Sequence, residues 1–121
     1  MIISVHHAQI TVPKEAEEAA REFYCGVLGM TEVPKPSELD GRGGFWLEVG
    51  DRQVHVGTED NPARESTKAH VAYLVKNLDT WRRNLEVRNI AVVDGIQIPH
   101  YRRFEFRDPF GNRIEFLEVS G

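Results

Sequence analysis

An α+β fold made of two βαβββ modules is the class this sequence predicts, and three observations carry the prediction. Short runs alternate apolar and polar residues, and in two places the pattern switches to a period of about 3.6. The order strand, helix, strand, strand, strand is met twice along the chain. The two halves also align in residues: HAQITV at 7–12 matches HVAYLV at 70–75, and QVHVG at 53–57 matches RIEFL at 113–117. An internal duplication of this kind predicts one supersecondary unit used twice.

The elements follow in order. Residues 2–12 read as a strand with Ala8, Ile10 and Val12 on one face, closed by Pro13. From Lys14 the apolar residues Ala16, Ala19, Ala20, Phe23 and Val27 fall on one helical face, and Gly26 and Gly29 mark its end. A short strand is expected at 30–33 and a loop at 34–44, which has two Pro and three Gly. Strands at 45–49 and 52–57, joined by Gly50-Asp51, form a hairpin. The polar stretch 58–66, with Asn61-Pro62, reads as a linker between module one (about 1–62) and module two (about 63–121). The second module begins with a strand at 68–75, with Val71, Tyr73 and Val75 on one face. A helix capped by Asn77 or Asp79 then carries Leu78, Trp81 and Leu85. Strands at 90–93, 102–107 and 113–119 complete it, the last two joined by the turn Asp108-Pro109-Phe110-Gly111-Asn112.

Composition bounds the function. The 121 residues make about one domain, long enough to bury a core without disulfides. Net charge is −4, which argues against a nucleic-acid partner. No apolar run approaches the ~20 residues of a membrane span, and MIISVHHAQI has no signal-peptide pattern. The single Cys excludes an intrachain disulfide and is compatible with a cytoplasmic setting. Of the 15 basic residues 11 are Arg, the side chain suited to planar recognition of carboxylate or phosphate.

Strand parity selects four side chains. His7, His55, His70 and Glu115 each point away from the apolar face of their strand. The first and fourth strands of each module contribute one apiece, 48 residues apart in the first module and 45 in the second. Three imidazoles and one carboxylate suit a divalent ion such as Fe, Mn, Ni or Zn, with open positions for a small-molecule substrate. Glu115 is the candidate catalytic proton carrier. Arg103 and Glu105 lie opposite Phe104 and Phe106, so Arg103 is a candidate anchor for an anionic substrate group. Gln53 and Arg113 each stand two residues before a ligand and share its face. Trp46 is a candidate for the pocket lining or the core. Arg42 in GRGGFW is the lesser anchor and reads as a solvated residue. His6 reads as structural, His100 as a surface residue and Cys25 as a buried small hydrophobe.

The segments HHAQITV, REFYCGVLGM, KAHVAYLVKNLDTWRRNL and RDPFGNRIEFLE resemble the vicinal oxygen chelate superfamily, the group of glyoxalases, bleomycin-resistance proteins and extradiol dioxygenases. The resemblance spans nearly the whole chain, and FYxxVLGM followed by DPFGNRIE is its most specific part. It implies a glyoxalase-like domain over 1–121, with a curled mixed sheet around a central metal site. His7 and His70 fit the first-strand ligands of the modules, Glu115 the final carboxylate, and His55 the fourth-strand position. Lactoylglutathione lyases usually carry Glu at that last place, so His55 departs from their pattern. The resemblance implies a metal-dependent lyase or isomerase of glyoxalase type. Extradiol dioxygenation and metal-free sequestration of a ligand, as in bleomycin-resistance proteins, are the alternatives. It also implies a homodimer.

Overall fold

A computed structural model describes residues 1–60 and 62–120. The elements are β1 (His7–Val12), α1 (Glu17–Arg21), β2 (Thr31–Val33), β3 (Phe45–Val49), β4 (Arg52–Thr58), β5 (His70–Leu74), α2 (Leu78–Val87), β6 (Val93–Asp94), β7 (Tyr101–Arg107) and β8 (Arg113–Val119). They form two mixed sheets of four strands, in the orders β1-β4-β3-β2 and β5-β8-β7-β6. In each sheet the first pair is parallel and the other two are antiparallel. The α+β class and the twofold use of one topology are therefore as the sequence predicts. The chain divides into two compact units, Met1–Pro62 and Ala63–Gly121. Asn61 of the expected linker lies outside the described residues.

In unit 1 the inward positions of the strands are filled by Val12, Phe45, Leu47, Val54 and Val56, all buried. β1 begins at His7 rather than at residue 2. Its first partner on β4 is Gln53, and residues 1–6 have no ladder to join. α1 starts at Glu17, three residues later than the periodicity suggests, because Glu15 sits at φ 70°. The helix continues as a π-helical segment, Glu22–Val27. The buried face of the combined helix is Ala20, Phe23, Tyr24 and Leu28, at ordinary helical spacing, and Ala19 is exposed. Cys25 is only half-buried, which corrects the expectation of full burial. Gly44 opens β3 at φ +82°, and a Cβ there would stand 2.2 Å from the Val56 carbonyl oxygen. Only glycine allows this approach of the two backbones.

In unit 2 Phe116 is the aromatic hub. Phe106 meets it edge-on at 4.9 Å, Trp81 at 5.1 Å and Tyr73 at 6.1 Å. Leu78 and Leu85 of α2 are buried, as their spacing implies. The cap of α2 differs from expectation. Asn77 adopts the left-handed conformation and makes no side-chain cap. The Leu78 N–H instead donates to Glu118 Oε2 of β8 at 2.8 Å, so a carboxylate from the sheet meets the positive helix end. β6 forms at 93–94 rather than 90–93, since the Ile90 N–H is taken by the Leu85 carbonyl and Asn89 turns at φ 62°. At the 108–112 turn, buried Asp108 accepts the Phe110 and Asn112 N–H groups and the Asn112 side-chain amide. Gly111 sits there at φ +100°.

Candidate functional site

The register places the selected residues at matching points of the two units. On β4, Gln53 pairs with His7 and His55 stands two residues on. On β8, Arg113 pairs with His70 and Glu115 stands two residues on. Across the antiparallel neighbour, His55 faces Trp46 and Glu115 faces Glu105.

In unit 1 three aromatic rings stack. The His55 ring lies 4.0 Å from Trp46, only 3° from parallel, and 4.0 Å from His7, at 17°. His55 is 6% exposed although it points away from the apolar core face. Its Nε2–H donates to Gln53 Oε1 at 2.8 Å, an assignment that leaves Nδ1 with a free lone pair. Trp46 thus lines the cleft rather than the core, and Gln53 orients the His55 ring. His6, expected to be structural, is exposed, with its Nδ1 3.0 Å from His7 Nδ1. These rings line a cleft of about 500 Å³ that also receives Gln9, Lys35 and Arg42. Lys35, which the sequence reading did not single out, and the exposed Arg42 both line this cleft. The signal present was the Gly-rich loop, whose Gly41, Gly43 and Gly44 all take positive φ and turn the chain into the cleft wall.

Burial, with His7 and His6 close by, pushes the His55 pKa down to about 4. The folded protein therefore holds this imidazole neutral, the form that binds a metal. Between about pH 6.5 and 4 the unfolded chain takes up a proton that the folded chain refuses. Stability must then rise with pH across that window and fall as pH drops through it. Urea unfolding of metal-stripped protein should show a loss of about 1–3 kcal/mol between pH 7 and pH 4. His55→Gln should flatten that part of the profile. An equal slope in the variant would refute the assignment.

In unit 2 the site is an ion network. His70 Nδ1–H donates to the Lys68 carbonyl at 3.0 Å, which turns Nε2 towards Glu115 Oε1 at 3.1 Å. With the proton on Nδ1, a lone pair and a carboxylate oxygen face each other. Such a pair is completed by a second proton or a cation between them. Arg103 donates to Glu115 Oε2 at 3.0 Å and to the Ile96 carbonyl at 3.0 Å, and lies 3.6 Å from Glu105. Glu105 is gripped on both oxygens by Arg113, at 2.6 and 2.5 Å. That bond, above all, holds the Glu105 pKa below the usual carboxylate range and raises that of Arg113. Arg103 is therefore engaged by protein groups rather than projecting free to a ligand. Arg113 serves Glu105. His100 is an exposed surface residue at φ 72°.

Imidazole and carboxylate are donor types that suit a divalent transition metal. Each unit offers a pair whose orientation is fixed by a neighbour: His7 and His55 in one, His70 and Glu115 in the other. Among the described residues no three or more His, Cys, Asp or Glu groups cluster as a ready ion site.

The relatives agree with the architecture. Among curated proteins no match is found. A Bacillus anthracis protein provisionally placed in the glyoxalase family is 41% identical in its crystal structure, with a TM-score of 0.90 over 99% of this chain and 98% of that one. A lactoylglutathione lyase from Agrobacterium tumefaciens shares the fold at 19% identity and a TM-score of 0.72, covering 95% of this chain and 92% of its own. TnmS3, an antibiotic binding protein from Streptomyces sp. CB03234, does so at 23% identity and a TM-score of 0.73, covering 99% of each chain. The family model for the Glyoxalase/Bleomycin resistance protein/Dioxygenase superfamily matches residues 4–116. With the duplicated βαβββ topology, this match shows that the chain belongs to that superfamily.

Proposed function

We propose that the protein is a divalent-metal-dependent enzyme of glyoxalase type, with lyase or isomerase chemistry on a small oxygen-bearing substrate. The proposed metal ligands are His7, His55, His70 and Glu115. The observation that carries the reading is the fixed His70–Glu115 pair, in which the Lys68 carbonyl holds Nδ1–H and aims Nε2 at the carboxylate. A backbone carbonyl that accepts the other ring N–H is the usual partner of a metal-binding imidazole. When bound, the ion supplies Lewis-acid polarisation of a substrate oxygen. The chain supplies the rest. Gln53 holds His55 in one tautomer, and Trp46 and His7 sandwich its ring. Glu115, with one oxygen on Arg103 and the other towards His70, is the group placed to carry a proton. The protein is proposed to work as a cytoplasmic homodimer. No helix among the described residues is long and apolar enough to cross a membrane.

A second reading is favoured by one feature. Arg103 already neutralises Glu115, as a metal-free ligand-sequestering protein would permit. Metal analysis separates the two. Protein purified without chelators should hold roughly one divalent ion per chain, lose it to a chelator and regain it on titration. Turnover of 2-oxoaldehyde thiohemiacetals or related substrates should follow the metal. Protein that neither carries nor takes up metal would sink the enzyme reading and leave sequestration.

A further inference from the structure

We propose that the unit 1 cleft binds the oxyanionic end of a small molecule, a carboxylate or a phosphorus oxyanion, through Arg42 and Lys35. The proposal rests on the reading of His7 and His55, which line this cleft, as metal ligands, and it names the chemical class of the substrate.

The charges point one way. The chain carries net −4, yet no Asp or Glu is among the described residues that line the cleft. Two cations, three imidazoles and the neutral groups of Gln9 and Thr58 provide its polar surface. Arg42 makes no side-chain hydrogen bond or ion pair with any described residue, unlike the committed Arg103 and Arg113 of unit 2. Its guanidinium keeps all its donors, in the planar fork that matches carboxylate and phosphate. Lys35 spends one N–H on the Gly43 carbonyl at 2.7 Å and keeps two. That bond ties the lysine to the residue next to Arg42, so both cations belong to one loop wall. A cleft of about 500 Å³ is in the range that holds small molecules.

The test uses metal-stripped, 15N-labelled protein titrated with benzoate, phenylphosphonate and neutral benzamide. Both anions should give saturable shifts of the Trp46 indole, Gly43 and Arg42 resonances. Benzamide, of the same size as benzoate, should bind at least about tenfold more weakly. Arg42→Gln, at an exposed and unpaired residue, should weaken both anions at least about tenfold, and Lys35→Met should act in the same direction. Added salt should weaken binding as well. The stronger of the two anions tells a carboxylate substrate from a phosphorus one. Benzamide binding as tightly as benzoate, or Arg42→Gln binding benzoate like the parent protein, would overturn the proposal. Anion binding without metal uptake refutes only the metal reading; metal uptake without anion binding refutes only this one.

Discussion

Glu115→Gln should lower metal affinity at least about 100-fold and destabilise the fold by about 1–3 kcal/mol. Gln keeps the shape of the side chain and removes its charge. The side chain of Glu115 is 9% exposed and that of its partner Arg103 is 17% exposed, so this is an ion pair in a largely dry place. Stripping one partner of a fully buried pair costs ~3–5 kcal/mol. Here Glu105 stands 3.6 Å from the same guanidinium and takes part of the load, which lowers the expected loss. Glu105 cannot take all of it, because Arg113 holds both its oxygens. Arg103→Met in the Glu115→Gln background should then recover stability without recovering metal. Urea unfolding and calorimetric metal titration of the two single variants and the double variant measure both effects. If Glu115→Gln binds metal like the parent, Glu115 is no ligand, and unchanged unfolding would make the ion pair energetically idle.

Gly44→Ala should cost about 3 kcal/mol or more and produce little folded protein at 37 °C. Two penalties combine. The backbone sits at φ +82°, where an alanine is strained by ~1 kcal/mol. The new Cβ would also fall 2.2 Å from the Val56 carbonyl oxygen and 3.3 Å from Gly57 Cα. Backbone cannot swing aside as a side chain can, and moving β4 would move His55 with it. Gly41→Ala is the internal control. That residue has φ +85° but nothing within 4 Å of its Cβ position, so only the first penalty applies, about 1 kcal/mol. Equal losses in the two variants, measured by thermal or urea unfolding, would show that the close approach carries no weight.

Much of the fold was legible because the two periods of the chain are clean. The Gly50-Asp51 hairpin and the bounds of β3 and β8 follow directly from alternation and turn residues. The π-helical segment after α1 was not legible, since Ala16, Ala19 and Ala20 satisfy a regular helix as well as a widened one. Nor was the cap of α2. Asn77 is a good local cap, but a carboxylate 40 residues away, on Glu118, competes better once the sheet is built. The positions of His7, His55, His70 and Glu115 within their strands came from parity and from the aligned halves. Parity tells a face but not a partner. It put Arg103 on the side of Glu115 and could not tell that Glu115 itself would claim it. Trp46 was left open between pocket lining and core, and nothing in the sequence revealed its stack with His55. Lys35 and Arg42 lie in a loop, where no period exists to read.

The Trp46–His55 stack gives the protein an optical gauge of its own state. An indole 4.0 Å above an imidazole and nearly parallel to it senses any charge placed on that ring, whether a proton or a metal ion. Trp81, the second indole, stands against Phe116 in unit 2 and supplies a steady background. The emission of the untouched protein should therefore respond to a proton or an ion placed on His55, without a label or an assumed substrate.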